Sequence, residues 1–233
     1  MSALVAFSGR AWAGPPFLTD DPEPVDLHHW EIYGAFQWTW EHGAATGTLP
    51  HVEVNYGAAP ELQLHVIAPA VLAWKSGPGA QYGPGDVELG AKLRFVDETT
   101  WRPQIGTFPL IELPIGSATR GTGTGELQVL LPIWLQKSFG RFTTYGGGGV
   151  LLSPSGHHAV VLGWLLQRQL VDWLTLGVEV HYTAPLDAEA SLVQLNLGAI
   201  VDISPHHHVL LSAGPAFGVG PVAQSYAAYQ LTF

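Results

Sequence analysis

The end of the chain alternates between apolar and polar side chains with a period of two residues. The apolar parity ends with Ala227, Tyr229, Leu231 and a terminal Phe233. Because side chains alternate across a strand, one face of this segment can contact lipid while the other lines a polar lumen. The last three apolar residues also resemble the signal by which membrane β-barrels are recognised for assembly. The ending therefore predicts a membrane-spanning strand and, as a partner, the barrel assembly machinery.

Composition restricts the fold in the same direction. Hydrophobic residues make up 47% of the chain and charged residues only 12%, while 28 glycines and 18 prolines interrupt any long helix. No run of about 18 consecutive apolar residues exists that could span a bilayer as a helix. In lipid every backbone polar group has to be satisfied internally, so spanning strands have to close into a barrel. We therefore predict an all-β, transmembrane, antiparallel up-and-down β-barrel in the outer membrane of a Gram-negative bacterium, surrounded by lipid.

The first 28 residues are not expected to form strands of the barrel. Residues 1–13 hold a short apolar run and an Ala11-Trp12-Ala13 triplet, which favour a truncated signal peptide over an ordinary disordered N-terminus. Residues 14–28 form a Pro-rich acidic leader, in which proline removes backbone donors. Its carboxylates could bind a cation, the segment could plug the lumen, or it could be a solvated linker; the acidic residues are Asp20, Asp21, Glu23 and Asp26.

Alternation and turn signals divide residues 29–233 into twelve predicted strands. Their spans are 29–41, 49–57, 61–74, 85–96, 101–115, 125–139, 141–152, 158–170, 173–184, 190–203, 207–217 and 222–233. The number is even, and long and short links alternate, as in bacterial outer-membrane barrels. A soluble sandwich is the alternative, but the polar residues are too few to coat its exterior.

Several segments resemble an outer-membrane β-barrel family named for the MetA pathway of phenol degradation, whose members are often called simply transporters. The resemblance rests on FLTDDPEP (17–24), YGPGDVELGAK (82–92), PLIELPIG (109–116), LPIWLQKSFG (131–140), TYGGGG (144–149) and GWLLQRQ (163–169). It covers residues 14–233 and implies uptake of aromatic or other hydrophobic compounds. The family offers no well-defined catalytic residues to transfer.

Parity assigns most charged side chains to the lumen, because lysine or arginine on the lipid face costs about 2–4 kcal/mol at the midplane. Such a lumen is either a cation-tolerant conduit or closed by opposite charges that pair across it. The predicted polar lining residues are Glu31, Glu53, Glu61, His65, Glu88, Lys92, Arg94, Glu112, Glu126, Gln128, Glu179 and His181.

Four apolar residues share the inward parity and could form a slot for a hydrophobic solute. They are Phe108, Leu110, Leu130 and Trp134. A β-bulge that turns them outward is the competing interpretation, since nearby prolines make bulges plausible.

The sequence offers little chemistry of other kinds. Cysteine is absent, and the paired histidines lack the spacing of a metal site, so we predict no metal and no cofactor. A net charge of −10 disfavours nucleic acid as a partner. Ser153 or Ser155 with His157 or His158 is the one grouping that could support an outer-membrane lipid hydrolase.

These observations predict a monomeric, non-enzymatic channel that takes up small, hydrophobic or aromatic solutes passively, without catalytic residues. A closed structural or adhesive barrel is the main alternative, and an interfacial hydrolase is the next.

Overall fold

The computed structural model describes residues 16–75, 79–186, 191–218 and 220–233. The predicted signal peptide at 1–13 lies outside these residues. Within them no helix is long and apolar enough to cross a membrane. They form fourteen strands: β1 Trp30–Glu41, β2 Ala44–Ala59, β3 Leu62–Lys75, β4 Gln81–Pro84, β5 Val87–Val96, β6 Gln104–Thr107, β7 Leu110–Leu113, β8 Gln128–Phe139, β9 Phe142–Leu152, β10 Ala159–Val171, β11 Leu174–Pro185, β12 Leu192–Ser204, β13 His207–Gly218 and β14 Pro221–Thr232.

The sheet closes on itself. Every described pairing is antiparallel, and β1 pairs with β14, where the Trp30 amide donates to the Phe233 carbonyl at 2.7 Å. Two wall positions are each formed by two strands: β4 and β5 both pair with β3, and β6 and β7 lie end to end between β5 and β8. The ring therefore has twelve wall positions, which confirms the predicted barrel.

The two faces of the wall differ as the alternation predicts. Large apolar side chains are exposed around the whole circumference, where the hydrocarbon of a bilayer would cover them. They include Leu64, Leu89, Leu131, Ile133, Leu162, Trp164, Leu166, Leu176, Val178, Val180, Leu195, Leu197 and Leu211. Exposed aromatic residues mark both ends of this belt, among them Trp40 and Trp74 at one end and Phe139, Phe142 and Trp173 at the other. Interior positions are predominantly polar.

The two ends of the barrel also differ. Tight turns join β2 to β3, β8 to β9, β10 to β11 and β12 to β13 at the end that holds the β1–β14 termini, which we call the short-turn end. The segments 114–127 and 153–158 connect strands at the opposite, long-loop end. This arrangement matches bacterial barrels, whose short turns face the periplasm.

The second strand begins five residues earlier than predicted. β2 starts at Ala44, after a two-residue turn in which Gly43 has a φ of 77°. The β2–β3 ladder skips between Thr48 and His51, so the residues before Leu49 have the opposite parity to those after Pro50. That change of parity made the segment before Leu49 resemble a loop. Gly47 belongs to the wall, and the ring of Trp38 covers it.

Other predicted boundaries also change at irregular points of the ladders. The predicted strand 101–115 is divided at Phe108-Pro109 into β6 and β7, because proline cannot donate to a ladder. The predicted strand 85–96 is preceded by β4, with Gly85 and Asp86 forming the break. The predicted strand 125–139 begins only at Gln128, so Glu126 lies in the preceding loop.

Candidate functional site

The inner face of the barrel carries most of the predicted polar lining residues. Those that face the lumen from strands are Glu31, Glu53, His65, Glu88, Lys92, Glu112, Gln128, Glu179 and His181. Arg94 and Glu61 form an ion pair toward the short-turn end, with Glu61 on the β2–β3 turn. The described structure therefore brings these residues to one interior, whose polar character matches a water-accessible lumen.

Glu126 departs from the predicted lining set. Its carboxylate lies in the loop before β8 and accepts hydrogen bonds from Ser153, at 2.8 Å, and from Ser155, both in the loop after β9. Because the strand begins three residues later than expected, parity no longer directs this side chain toward the lumen. Glu126 instead joins two loops at the long-loop end.

The leader runs through the lumen. From Pro16 to His28 it lies inside or beneath the ring, and Thr19, Asp21 and Pro22 are completely buried. This segment forms no helix or strand, as its prolines predict, yet most of it, from Pro16 to Val25, is buried or half-buried within the ring. Of the roles considered for it, the structure shows the segment occupying the lumen and not extending as a solvated linker.

Ion pairs connect the leader to the two cations of β5. Lys92 Nζ lies 2.8 Å from Asp20 and 3.6 Å from Asp21, and only 3% of the Lys92 side chain is exposed. Arg94 lies 2.7 Å from Glu23. Burial raises the pKa of Asp21 well above its usual range, against the opposing influence of Lys92. Asp20 is therefore the principal counter-charge of the buried lysine.

Hydrogen bonds hold the leader backbone against several strands. The Thr19 amide donates to Glu179 at 2.5 Å, and the Val25 amide donates to Gln63 at 3.0 Å. The Ser212 hydroxyl donates to the Pro16 carbonyl at 2.5 Å. These contacts reach strands β3, β11 and β13, so the leader crosses from one side of the lumen to the other.

Glycines in the wall make room for this path. A Cβ at Gly177 or Gly198 would lie about 2.5 Å from the ring of Phe17, closer than van der Waals contact allows. A Cβ at Gly106 would lie 2.9 Å from Pro22. The wall is therefore shaped to the leader at positions on β6, β11 and β12.

A cavity of about 780 Å³ remains in the lumen beside the leader. Side chains of β1, β2, β3, β5, β8 and β14 line it, and it extends to Trp30, His206 and Phe233 at the short-turn end. The barrel contributes the carboxylates Glu31, Glu53, Glu88 and Glu98, and the leader contributes Asp20, Glu23 and Asp26. Among the described residues that line the cavity, Lys92 is the only lysine and there is no arginine.

The four predicted slot residues lie on the lumen side. Phe108, Leu110 and Leu130 line the cavity, and Trp134 is buried next to it with 2% of its surface exposed. Leu110 pairs directly with Leu130 across β7 and β8. The interruption at Phe108-Pro109 leaves the parity unchanged, so no bulge turns these residues toward lipid.

Ser153, Ser155 and His157 do not have the geometry of a nucleophilic triad. The hydroxyls of both serines and Nδ1 of His157, at 3.3 Å, all meet the same oxygen, Oε2 of Glu126. In a triad the histidine accepts the serine proton, and the carboxylate binds the other ring nitrogen. Here the carboxylate itself accepts the hydrogen bonds of the serines, so the cluster fastens the loop before β8 to the loop after β9. In the described part of the chain no three His, Asp or Glu side chains converge as a metal site.

This fastening predicts a pH dependence at the long-loop end. Hydrogen bonds from Ser155 and Ser153, with a further contribution from His157, lower the pKa of Glu126 below its ordinary value of 4.5. A depressed carboxylate pKa gives stabilisation that is present above 4.5 and is lost as the pH falls through the lower, folded value. We expect amide hydrogen-exchange protection of residues 153–158 to decrease in that acidic range.

The Glu126→Gln variant should show weaker protection already at pH 7 and little further change on acidification. Glu41→Gln, which removes an exposed carboxylate at the same end, serves as the control and should titrate like the wild type. Equal protection of the wild type and Glu126→Gln at every pH would contradict the assignment.

Several lumen residues were not among the predicted lining set. His51, Asn55 and Ser212 all face inward, and the same parity that located their neighbours could have included them. His208, the last of three consecutive histidines, is also buried, and its Nδ1 lies 2.7 Å from Asp202. The glycines that contact the leader gave no signal, because their role depends on a segment distant in the sequence.

No family model matches the chain, and no curated protein sequence matches it. Among solved structures, an outer-membrane channel from Pseudomonas putida F1 aligns with a TM-score of 0.71 at 16% identity, covering 91% of this chain and 98% of that one. The KdgM porin aligns with a TM-score of 0.59 at 10% identity, covering 87% and 99%. The translocator domain of the autotransporter NalP from Neisseria meningitidis gives 0.56 at 12% identity, covering 89% of each. These likenesses establish the fold of an outer-membrane β-barrel.

Proposed function

We propose that the protein is a channel of the Gram-negative outer membrane through which small solutes, especially hydrophobic or aromatic ones, diffuse passively. The observation that carries the proposal is a cavity of about 780 Å³ in the polar interior of a closed barrel whose exterior is apolar. One chain closes the ring, so the pore needs no second copy. The channel from Pseudomonas putida F1, which shares the fold over almost its whole length, supports the same role.

The preference for solutes with an apolar part is inferred from one side of the cavity. Phe108, Leu110 and Leu130 form an apolar wall within an otherwise polar lining. A solute has to bind strongly enough to enter and weakly enough to leave, and a small apolar contact area meets both conditions. A lumen filled only by paired charges would offer no such surface.

The leader narrows the passage in this proposal. It occupies the lumen from Pro16 to Asp26 and leaves the cavity on the side of β1 to β8. Solutes therefore pass beside the leader or displace part of it. The closed structural barrel remains the alternative that the transport experiment distinguishes.

Liposome swelling tests the channel and its preference together. In vesicles that contain the purified protein, we expect L-phenylalanine to enter severalfold faster than glucose, because its ring can contact the apolar wall. Leu130→Ser should reduce that ratio, whereas Leu131→Ala, on the lipid face of the same strand, should leave it unchanged. Equal rates for the two solutes would overturn the apolar preference. The absence of both swelling and ion conductance would overturn the channel function.

A further inference from the structure

On the barrel wall, three buried polar side chains that line the cavity have a group without a protein partner. These groups are Nε2 of His51, Nε2 of Gln104 and Oε1 of Gln136, and none has a hydrogen-bond partner among the described residues. The side chains line the cavity and are only 7%, 3% and 2% exposed. Buried polar groups in proteins are usually satisfied, so these groups are available to hydrogen-bond water or a polar solute in the cavity.

A layer of carboxylates lies on the same wall. Glu53 accepts a hydrogen bond from Asn55 at 2.9 Å, and Glu88 accepts one from His65 at 2.9 Å. Glu31 pairs with Asn55 across β1 and β2 and accepts from the Tyr33 hydroxyl at 2.7 Å. Even if both ring nitrogens of His65 donate and the ring is a cation, three carboxylates outnumber it. The layer therefore places three acidic side chains beside one histidine within a confined space.

The apolar wall adjoins this layer through His65. The ring of His65 meets the ring of Phe108 edge to face, with centroids 5.1 Å apart, while Glu53 lies 3.7 Å from its Nδ1. The side chain of His65 therefore lies between Phe108 and the carboxylates of Glu53 and Glu88, so a solute that contacts Phe108 is close to both of them. The lumen presents an apolar surface next to a surface of carboxylates, and one small molecule can contact both.

We propose that the cavity is a binding site for small organic cations, in which an ammonium group meets Glu31, Glu53 and Glu88 and an apolar body meets Phe108, Leu110 and Leu130. This inference rests on the proposed channel function and names its substrate class. A cleft lined by charges of one sign concentrates counter-ions, and rings of carboxylates favour cations in channels.

The lysine of the cavity does not reverse this selectivity. Lys92 is the cation that could attract a carboxylate solute, but its ammonium is already 2.8 Å from Asp20 and 3.6 Å from Asp21. A carboxylate that approached Phe108 would meet Glu88 and Glu53 without a free counter-charge. Organic anions of the same shape are therefore expected to bind more weakly.

Calorimetric titration of the folded, detergent-solubilised full chain tests the site without a membrane. The probes are 2-phenylethylammonium and 3-phenylpropionate, which share a phenyl group and differ in the sign of their charge. We expect the cation to bind at least about tenfold more tightly than the anion, and added salt to weaken its binding. Equal affinities, or tighter binding of the anion, would overturn the proposal.

Two variants locate the site and one serves as a control. Glu53→Gln should weaken binding of 2-phenylethylammonium by about tenfold, and Phe108→Ala should weaken binding of both probes. Asp172→Asn removes a carboxylate from an exposed turn between β10 and β11 and should bind like the wild type. Unchanged binding in folded Glu53→Gln would contradict the assignment; if that variant does not fold, Glu88→Gln and the salt dependence of the wild type provide the same test.

The outcome is independent of transport. Tight cation binding without any flux in vesicles would contradict the proposed channel function and still support the binding site. Flux without charge preference in the titration would remove the site and leave the channel.

Discussion

Replacing Asp20 and Asp21 together by asparagine is expected to raise the single-channel conductance severalfold. Lys92 is almost completely buried and has these two carboxylates as its partners on the leader. Removing the partners of a buried charge costs about 3–5 kcal/mol, because the remaining ion is left without compensation. Withdrawal of the leader admits water to Lys92 and relieves that cost, and it also opens the part of the lumen that the leader fills. Conductance in planar bilayers measures the result.

A triple variant separates the effect of charge from other effects of the substitutions. Adding Lys92→Met to the asparagine pair removes the uncompensated cation, while Phe17 and Thr19 keep their contacts with the wall. The triple variant should therefore conduct more like the wild type than like the double variant. Asp172→Asn, far from the leader, should change nothing. If the folded double variant conducts like the wild type, the ion pairs do not hold the leader in place.

Leu197→Arg is expected to destabilise the barrel in lipid by about 2–4 kcal/mol, since its side chain lies at mid-height on the lipid face. Leu197 is in the middle of β12, and 68% of its surface is exposed on the outer face. An arginine there would place a guanidinium in the centre of the hydrocarbon. Urea or guanidinium unfolding of protein folded into phospholipid vesicles gives the free energy of unfolding for comparison with the wild type.

Ile203→Arg provides the matched comparison on the same strand and face. Ile203 is 63% exposed, but it lies one residue before the end of β12, at the short-turn end. Arginine near the interface should cost only about 0–1 kcal/mol because its head group can reach water. Similar losses at both positions would mean that the apolar belt is not centred on a bilayer.

The regular part of the wall could be predicted because its signal is local. The predicted spans 158–170 and 173–184 correspond to β10 and β11 within one residue, since strict alternation there is uninterrupted by proline. Prediction failed where the ladder is irregular, as at Leu49-Pro50 and Phe108-Pro109. At Leu49-Pro50 a bulge changes the relation between parity and face, whereas at Phe108-Pro109 a break divides one predicted strand into two. Only the pairing with a neighbouring strand reveals either irregularity.

The interior could be predicted in its chemistry but not in its arrangement. Parity alone placed Glu53, His65 and Lys92 on the inner face. The path of the leader depends on contacts across most of the chain, such as that of Thr19 with Glu179 and that of Pro16 with Ser212. No local pattern encodes pairs that distant in the sequence. Glu126 was misplaced for a similar reason, since its partners Ser153 and Ser155 belong to the loop that follows β9.

The permeability of the barrel and its stability depend on different parts of the chain, the leader and the wall. The ring depends on backbone ladders that run through all twelve wall positions, whereas the leader is fastened by a few ion pairs, hydrogen bonds and close contacts with glycines. A dozen residues ahead of the first strand could thus be rewritten to retune permeability while every lipid-facing position stays as it is. In such a barrel, a change of selectivity requires substitutions in the leader and none in the strands.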